Sequence, residues 1–135
     1  MNRALAREVA MQILYAHSSG GNEDRASVFE QLDQIPALDD NDIIFLENII
    51  DGVITHEDEL DLIIAAHSTT RKINMISKVE LTILRIGAHE FLREPTIPVG
   101  ATISEAVLLA KRYGDVKSYA FVNGVLASMS KSIKK

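Results

Sequence analysis

The chain has 135 residues, 47% hydrophobic and 24% charged, with no cysteine and a formal net charge of −5. That composition suits one globular domain, and the missing cysteine excludes disulfides, zinc–thiolate centres and thiol nucleophiles together. No run approaches the roughly 18 apolar residues of a membrane span, and the start, MNRALAREVAMQ, lacks a signal-peptide layout; a cytoplasmic protein with no membrane partner is expected.

Residues 2–17 predict a first helix, because Leu5, Ala6, Val9, Ala10, Ile13 and Leu14 recur at spacings of three and four. SSGGNED over 18–24 ends it, and a shorter helix is expected over about 24–34, carrying Val28, Phe29 and Leu32. After Pro36, the acidic run DDND at 39–42 caps and charge-stabilises a further helix start. Ile43, Leu46, Ile50, Val53 and Ile54 continue that helix, and Leu60, Ile63 and Ile64 belong to it or to a successor. HSTTR at 67–71 breaks the pattern. Two S/T-x-x-E capping boxes follow, SKVE at 77–80 before LTILRIGAHEFL and TISE at 102–105 before AVLLAKRY. Between them Pro95 and Pro98 stop one helix and position the next. A last helix is expected over about 116–133.

Within that last segment lies Asn123-Gly124, the strongest short-range hairpin signal. A hairpin here would have arms of two or three residues, and the following SMSKSIKK shows no strand alternation. Read as helix, Val122, Val125, Leu126, Met129 and Ile133 form one apolar stripe with Phe121 at its edge, which offsets the ~1 kcal/mol cost of a helical glycine. Helix is the better reading. It implies close approach to Gly124 by a neighbour or a ligand, and a structural role with a hydrogen-bond partner for Asn123. With no internal repeat or linker, residues 1–135 read as a single all-helical domain.

Charge is unevenly spread. Residues 18–70 hold thirteen acidic side chains and one basic one, a balance of −12, while the remainder carries +7. Binding responds to the local field of a surface, so a basic face built from both ends of the chain, with Arg3, Arg7 and the C-terminal lysines together, stands against the plainer reading of an acidic solubilising face.

Catalysis finds little support. HEFLR at 89–93 begins like the helical zinc motif H-E-x-x-H but places Arg93 at the second ligand position. His17, His56 and His67 lack ligand spacing, and YGDVKSYAFVNG lacks the glycine pattern and lysine–serine pair of a phosphate loop. No catalytic residue, metal ligand or cofactor is assigned.

Four stretches in order, AREVAMQILY, ILRIGAHEFL, ISEAVLLAKRYG and FVNGVL, resemble the NusB family of transcription antitermination factors, over essentially the whole chain. The resemblance implies an all-α fold of about seven helices in two small packed bundles. It further implies binding to boxA-type single-stranded RNA of nascent ribosomal RNA leaders together with NusE, a small-subunit ribosomal protein, within the elongating RNA polymerase complex; homodimers are also known in the family. Arg3 and Arg7, four apart on one helix face, suit phosphate contacts, and Tyr15, further along, suits stacking on an unpaired base. The bland alternatives are a solvated arginine pair and a half-buried tyrosine. Lys78, Arg85, Lys117 and Phe121 are the further RNA-contact candidates, with Arg85 alternatively in a structural ion pair and Phe121 alternatively in the core. Glu80 is the N3 residue of a capping box and, by the resemblance, a candidate partner contact near NusE. The chain departs from the family at Ala4, Leu5, Ser68, Ser104 and Ala120; the sparse arginines and Ala120 imply weak RNA binding by this protein alone. The competing reading is a non-catalytic helical protein-interaction module without direct RNA binding.

Overall fold

The computed structural model describes residues 2–18 and 37–133. Among them the regular structure is six α-helices and one 3-10 turn, with no strand, so the all-α expectation holds. The helix expected over 24–34 and most of the break at 18–24 lie outside the described residues. The chain divides into two compact units, Met1–Asp51 and Gly52–Lys135.

In the first unit, α1 (Arg3–Ser18) buries Ala6, Val9, Ala10, Met11 and Leu14; of the predicted stripe Leu5 and Ile13 are only half-buried, and Met11 joins the core. Its start is capped by Asn2, whose Oδ1 accepts from the Leu5 N–H at 3.0 Å. The next helix, α2 (Asp40–Thr55), opens on the predicted acidic run. Asp39 Oδ1 accepts from the Asp42 N–H at 2.9 Å, and Asp42 Oδ2 accepts in return from the Asp39 N–H at 3.2 Å. The same Oδ2 takes the Asn2 N–H at 2.7 Å. One fully buried carboxylate thereby satisfies donors at the starts of both helices.

The second unit contains α3 (Glu57–His67), the 3-10 turn Ile73–Met75, α4 (Lys78–Arg93), α5 (Val99–Tyr113) and α6 (Ser118–Ile133). Leu60, Ile63 and Ile64 therefore belong to a successor of α2. Helix α4 is the core of this unit: eleven of its sixteen residues are buried, and it packs against α3, α5 and α6. Its capping box forms as predicted, with Ser77 Oγ accepting from the Glu80 N–H and Glu80 Oε1 from the Ser77 N–H, each at 3.1 Å. Gly87 lets α6 approach: a methyl group there would sit 2.7 Å from Cδ2 of Leu126.

The second expected capping box does not form. Helix α5 begins three residues before Thr102, on Pro98, whose carbonyl accepts from the N–H groups of Ala101 and Thr102 at 3.0 and 3.2 Å. Thr102 lies buried inside the first turn and donates its hydroxyl to Glu90 Oε1 at 2.9 Å. The buried Glu90 carboxylate needs a donor, and Pro98 already supplies the dihedral angles of a helix start. The Asn123-Gly124 expectation does hold: both lie inside the continuous helix α6. Val122, Val125, Leu126 and Met129 are buried as predicted. Among the described residues, no helix is long and apolar enough to cross a membrane.

Candidate nucleic-acid interface

The first unit presents a cation–aromatic cluster. Arg3 and Arg7, one turn apart on α1, both lie over the ring of Phe45 on α2, with guanidinium carbons 4.4 and 5.2 Å from its centroid. Phe45 is buried, and Arg7 is 6% exposed while Arg3 faces solvent. A guanidinium held flat on an aromatic face keeps its edge donors for a phosphate or carboxylate and loses less side-chain freedom on binding. Arg3 fits that role; Arg7 is closer to a packed cation. Tyr15 is 39% exposed near the end of the same helix. Phe45 escaped the sequence reading because it looked like one more apolar residue of α2.

The second unit builds another such cluster around Glu80. Arg71, from the segment between α3 and α4, donates Nη1–H to Glu80 Oε1 at 2.8 Å and lays its guanidinium 4.1 Å over the centroid of Phe121 on α6. Phe121 is half-buried, and Glu80 is 2% exposed. Burial pushes the Glu80 carboxyl up, but hydrogen bonding at Ser118 and Ser77 and the Arg71 charge outweigh it, so its pKa lies below the usual glutamate value. Glu80 therefore stays ionised and holds Arg71 over the ring of Phe121. Arg71 is the residue that the sequence concealed. Nine positions separate it from Glu80 in a stretch that reads as a helix break, and only the fold brings it between two sequence-predicted residues.

The other candidates divide. Lys117 is exposed just before α6, where Asp115 Oδ1 accepts its backbone N–H at 2.8 Å and caps the helix start. Lys78 is exposed in the first turn of α4. Arg85 is different: it is 9% exposed, and its Nε and Nη2 donate to the two carboxylate oxygens of Asp61 at 2.8 Å each, with Glu57 Oε1 3.3 Å away. This geometry is the ion-pair alternative, between α3 and α4. The HEFLR run is likewise structural. His89 packs in the core against Gly52, and Arg93 pairs with Glu59 at 3.2 Å.

These features define an all-helical protein with guanidinium–aromatic platforms in both units and an acidic segment elsewhere in the chain. The sequence profile of the NusB family matches residues 4–131, and the chain belongs to that family. It is 40% identical over 131 residues to the transcription antitermination protein NusB of Ruminiclostridium cellulolyticum, covering 97% of this chain and 90% of the relative. Among solved structures, T. maritima NusB superposes with a TM-score of 0.88 at 28% identity, covering 100% of this chain and 94% of that one. A structure of the antitermination factors NusB and NusE in complex with double-stranded RNA matches with a TM-score of 0.82 at 28% identity, covering 96% of each chain.

Proposed function

We propose that the protein is a transcription antitermination factor that binds boxA-type RNA of nascent ribosomal RNA leaders together with NusE and joins the elongating RNA polymerase complex. The observation that carries this reading is the near full-length match to NusB proteins, one of which is seen with NusE and RNA. The site geometry supports it. Arg3 on Phe45 and Arg71 on Phe121 are cation–aromatic platforms of the kind that grip phosphates and stack on unpaired bases, and Tyr15, Lys78 and Lys117 add exposed contact groups. In this reading Glu80 positions Arg71 and borders the NusE contact, and Arg85 holds α3 against α4 so that the platform keeps its shape. The helices belong to a two-bundle architecture, and residues 1–135 act as one RNA-binding domain. A second copy of the chain competes with RNA for the same surface when homodimers form.

The test is a polarisation titration of a boxA-type RNA at several salt concentrations, with wild type and with Arg3→Ala/Arg7→Ala. Phosphate contacts make affinity fall steeply with salt. The double variant is expected to bind RNA more weakly, with a shallower salt dependence, while keeping its NusE affinity. Salt-independent binding, or an unchanged double variant, favours the protein-interaction module instead.

A further inference from the structure

The sequence leads one to expect a neighbour against Gly124, and among the described residues there is none. A methyl group added there would meet nothing within 4 Å, and both Asn123 and Gly124 face solvent in the middle of α6. A glycine in an exposed helix interior weakens the helix relative to alanine, and no packing among the described residues compensates. What the absent side chain does provide is access: another molecule's backbone can reach the helix surface at this point.

The surroundings indicate which kind of molecule. Gly124 and Lys131 are seven apart and so share one side of the helix, and Lys117 immediately precedes its first residue. All three are exposed. Phe121 and Ser128 also repeat at seven and form the adjoining line. Arg71 covers Phe121 at 4.1 Å, and one and a half to two turns further on Ser128 Oγ is paired with Nδ1 of His67 at 2.9 Å. Helix α6 carries no acidic residue anywhere along Ser118–Ile133. The strip therefore offers a cation at each end, an aromatic ring and a hydroxyl–imidazole pair along one side, and an open glycine in the middle, over about 20 Å at 1.5 Å per residue.

We infer that this outer strip of α6 is a track for the sugar–phosphate backbone of single-stranded RNA, running from the Arg71–Phe121 platform past Gly124 to Ser128, His67 and Lys131. The lysines neutralise phosphates at the two ends. The Ser128–His67 pair supplies hydrogen-bonding groups for a sugar hydroxyl. The glycine lets the strand lie against the helix between them. The inference rests on the RNA-binding reading proposed above and extends its site by about two helical turns.

The experiment uses the full chain with NusE and a labelled boxA-type RNA, in wild type, Gly124→Leu and Lys131→Ala. Gly124→Leu points a side chain into open space on a helix that prefers leucine to glycine, so its melting temperature is expected to hold or rise while RNA affinity drops about ten-fold. Lys131→Ala is expected to reduce the magnitude of the log–log salt slope by about 0.7, the contribution of one phosphate contact to a single strand. If wild type binds the RNA and Gly124→Leu binds it equally well, the track is wrong and the antitermination reading stands. If Gly124→Leu keeps RNA affinity but loses NusE, the strip docks protein, and the inference is overturned. If wild type binds no RNA even with NusE, both fail, and the parent reading is the one at fault.

Discussion

His89 gives the sharpest physical prediction. Its ring is 3% exposed, neither nitrogen has a hydrogen-bond partner, and the nearest carboxylate oxygen of an ion-pair kind, Glu94 Oε1, is 3.9 Å from Nε2. Burial strips an imidazolium of water at this position. Glu90 offsets part of that cost, Arg93 and His56 add to it, and the pKa falls to about 4 from 6.5. The unfolded chain protonates this histidine near its ordinary value. Between the two values the unfolded state holds a proton that the folded state refuses, so the folded protein is favoured less as pH falls. Stability is full above about pH 6.5, declines as the pH falls toward 4 and levels off below it. The gap corresponds to roughly 3 kcal/mol, a large share of a domain's total stability. Urea unfolding at a series of pH values between 7.5 and 4 should show that loss in wild type. His89→Leu keeps an apolar side chain in the same space and should lack this component. Parallel pH profiles for the two proteins, or an NMR titration placing His89 near 6.5 in the folded state, would refute the reasoning.

Other substitutions test the packing and the platform. Arg85→Ala leaves Asp61 and Glu57 facing each other without their cation, and should destabilise by about 2–3 kcal/mol in urea unfolding. Arg93→Ala removes a more exposed pair and should cost less than about 1 kcal/mol. Gly87→Ala forces a methyl onto Leu126 and should cost about 1–3 kcal/mol, read as a lower melting temperature. Glu80→Ala removes the N3 half of the capping box, the acceptor of the Ser77 N–H, together with the anchor of Arg71. It should destabilise by about 1 kcal/mol from the lost hydrogen bond alone and weaken RNA binding beyond what the stability loss explains, whereas Ser77→Ala, which removes the cap itself, should lower stability by about 1 kcal/mol with a smaller effect on RNA.

The helices were largely legible in the sequence, because apolar spacing, the acidic start at Asp39–Asp42 and the Ser77–Glu80 box are local signals that the structure keeps. Where tertiary demands compete, local signals mislead. Thr102 and Glu105 match a capping box, but the buried Glu90 draws the Thr102 hydroxyl inward, and Pro98 starts the helix a turn earlier. Arg85 read as an RNA contact or as half of an ion pair, and the choice stayed open because its partner, Asp61, is 24 residues away. Phe45 and Arg71 were invisible as site residues for the same reason: a cation–aromatic platform is a contact between elements, and neither half announces its partner. Gly124 was legible as an anomaly in the helix, and the fold added that no neighbour within the described residues accounts for it.

The most direct test of the antitermination reading is a binding cycle measured on the intact protein: the affinity for a boxA-type RNA alone, for NusE alone, and for each in the presence of the other. With sparse arginines of its own, the protein should bind RNA weakly by itself and more tightly when NusE is bound. RNA should then strengthen the NusE complex by the same factor, because linkage is reciprocal. A coupling of about 1–3 kcal/mol is predicted, the usual range between linked sites. Equal RNA affinities with and without NusE would contradict the cooperative account, and an absence of RNA binding in both would leave only a protein-interaction module.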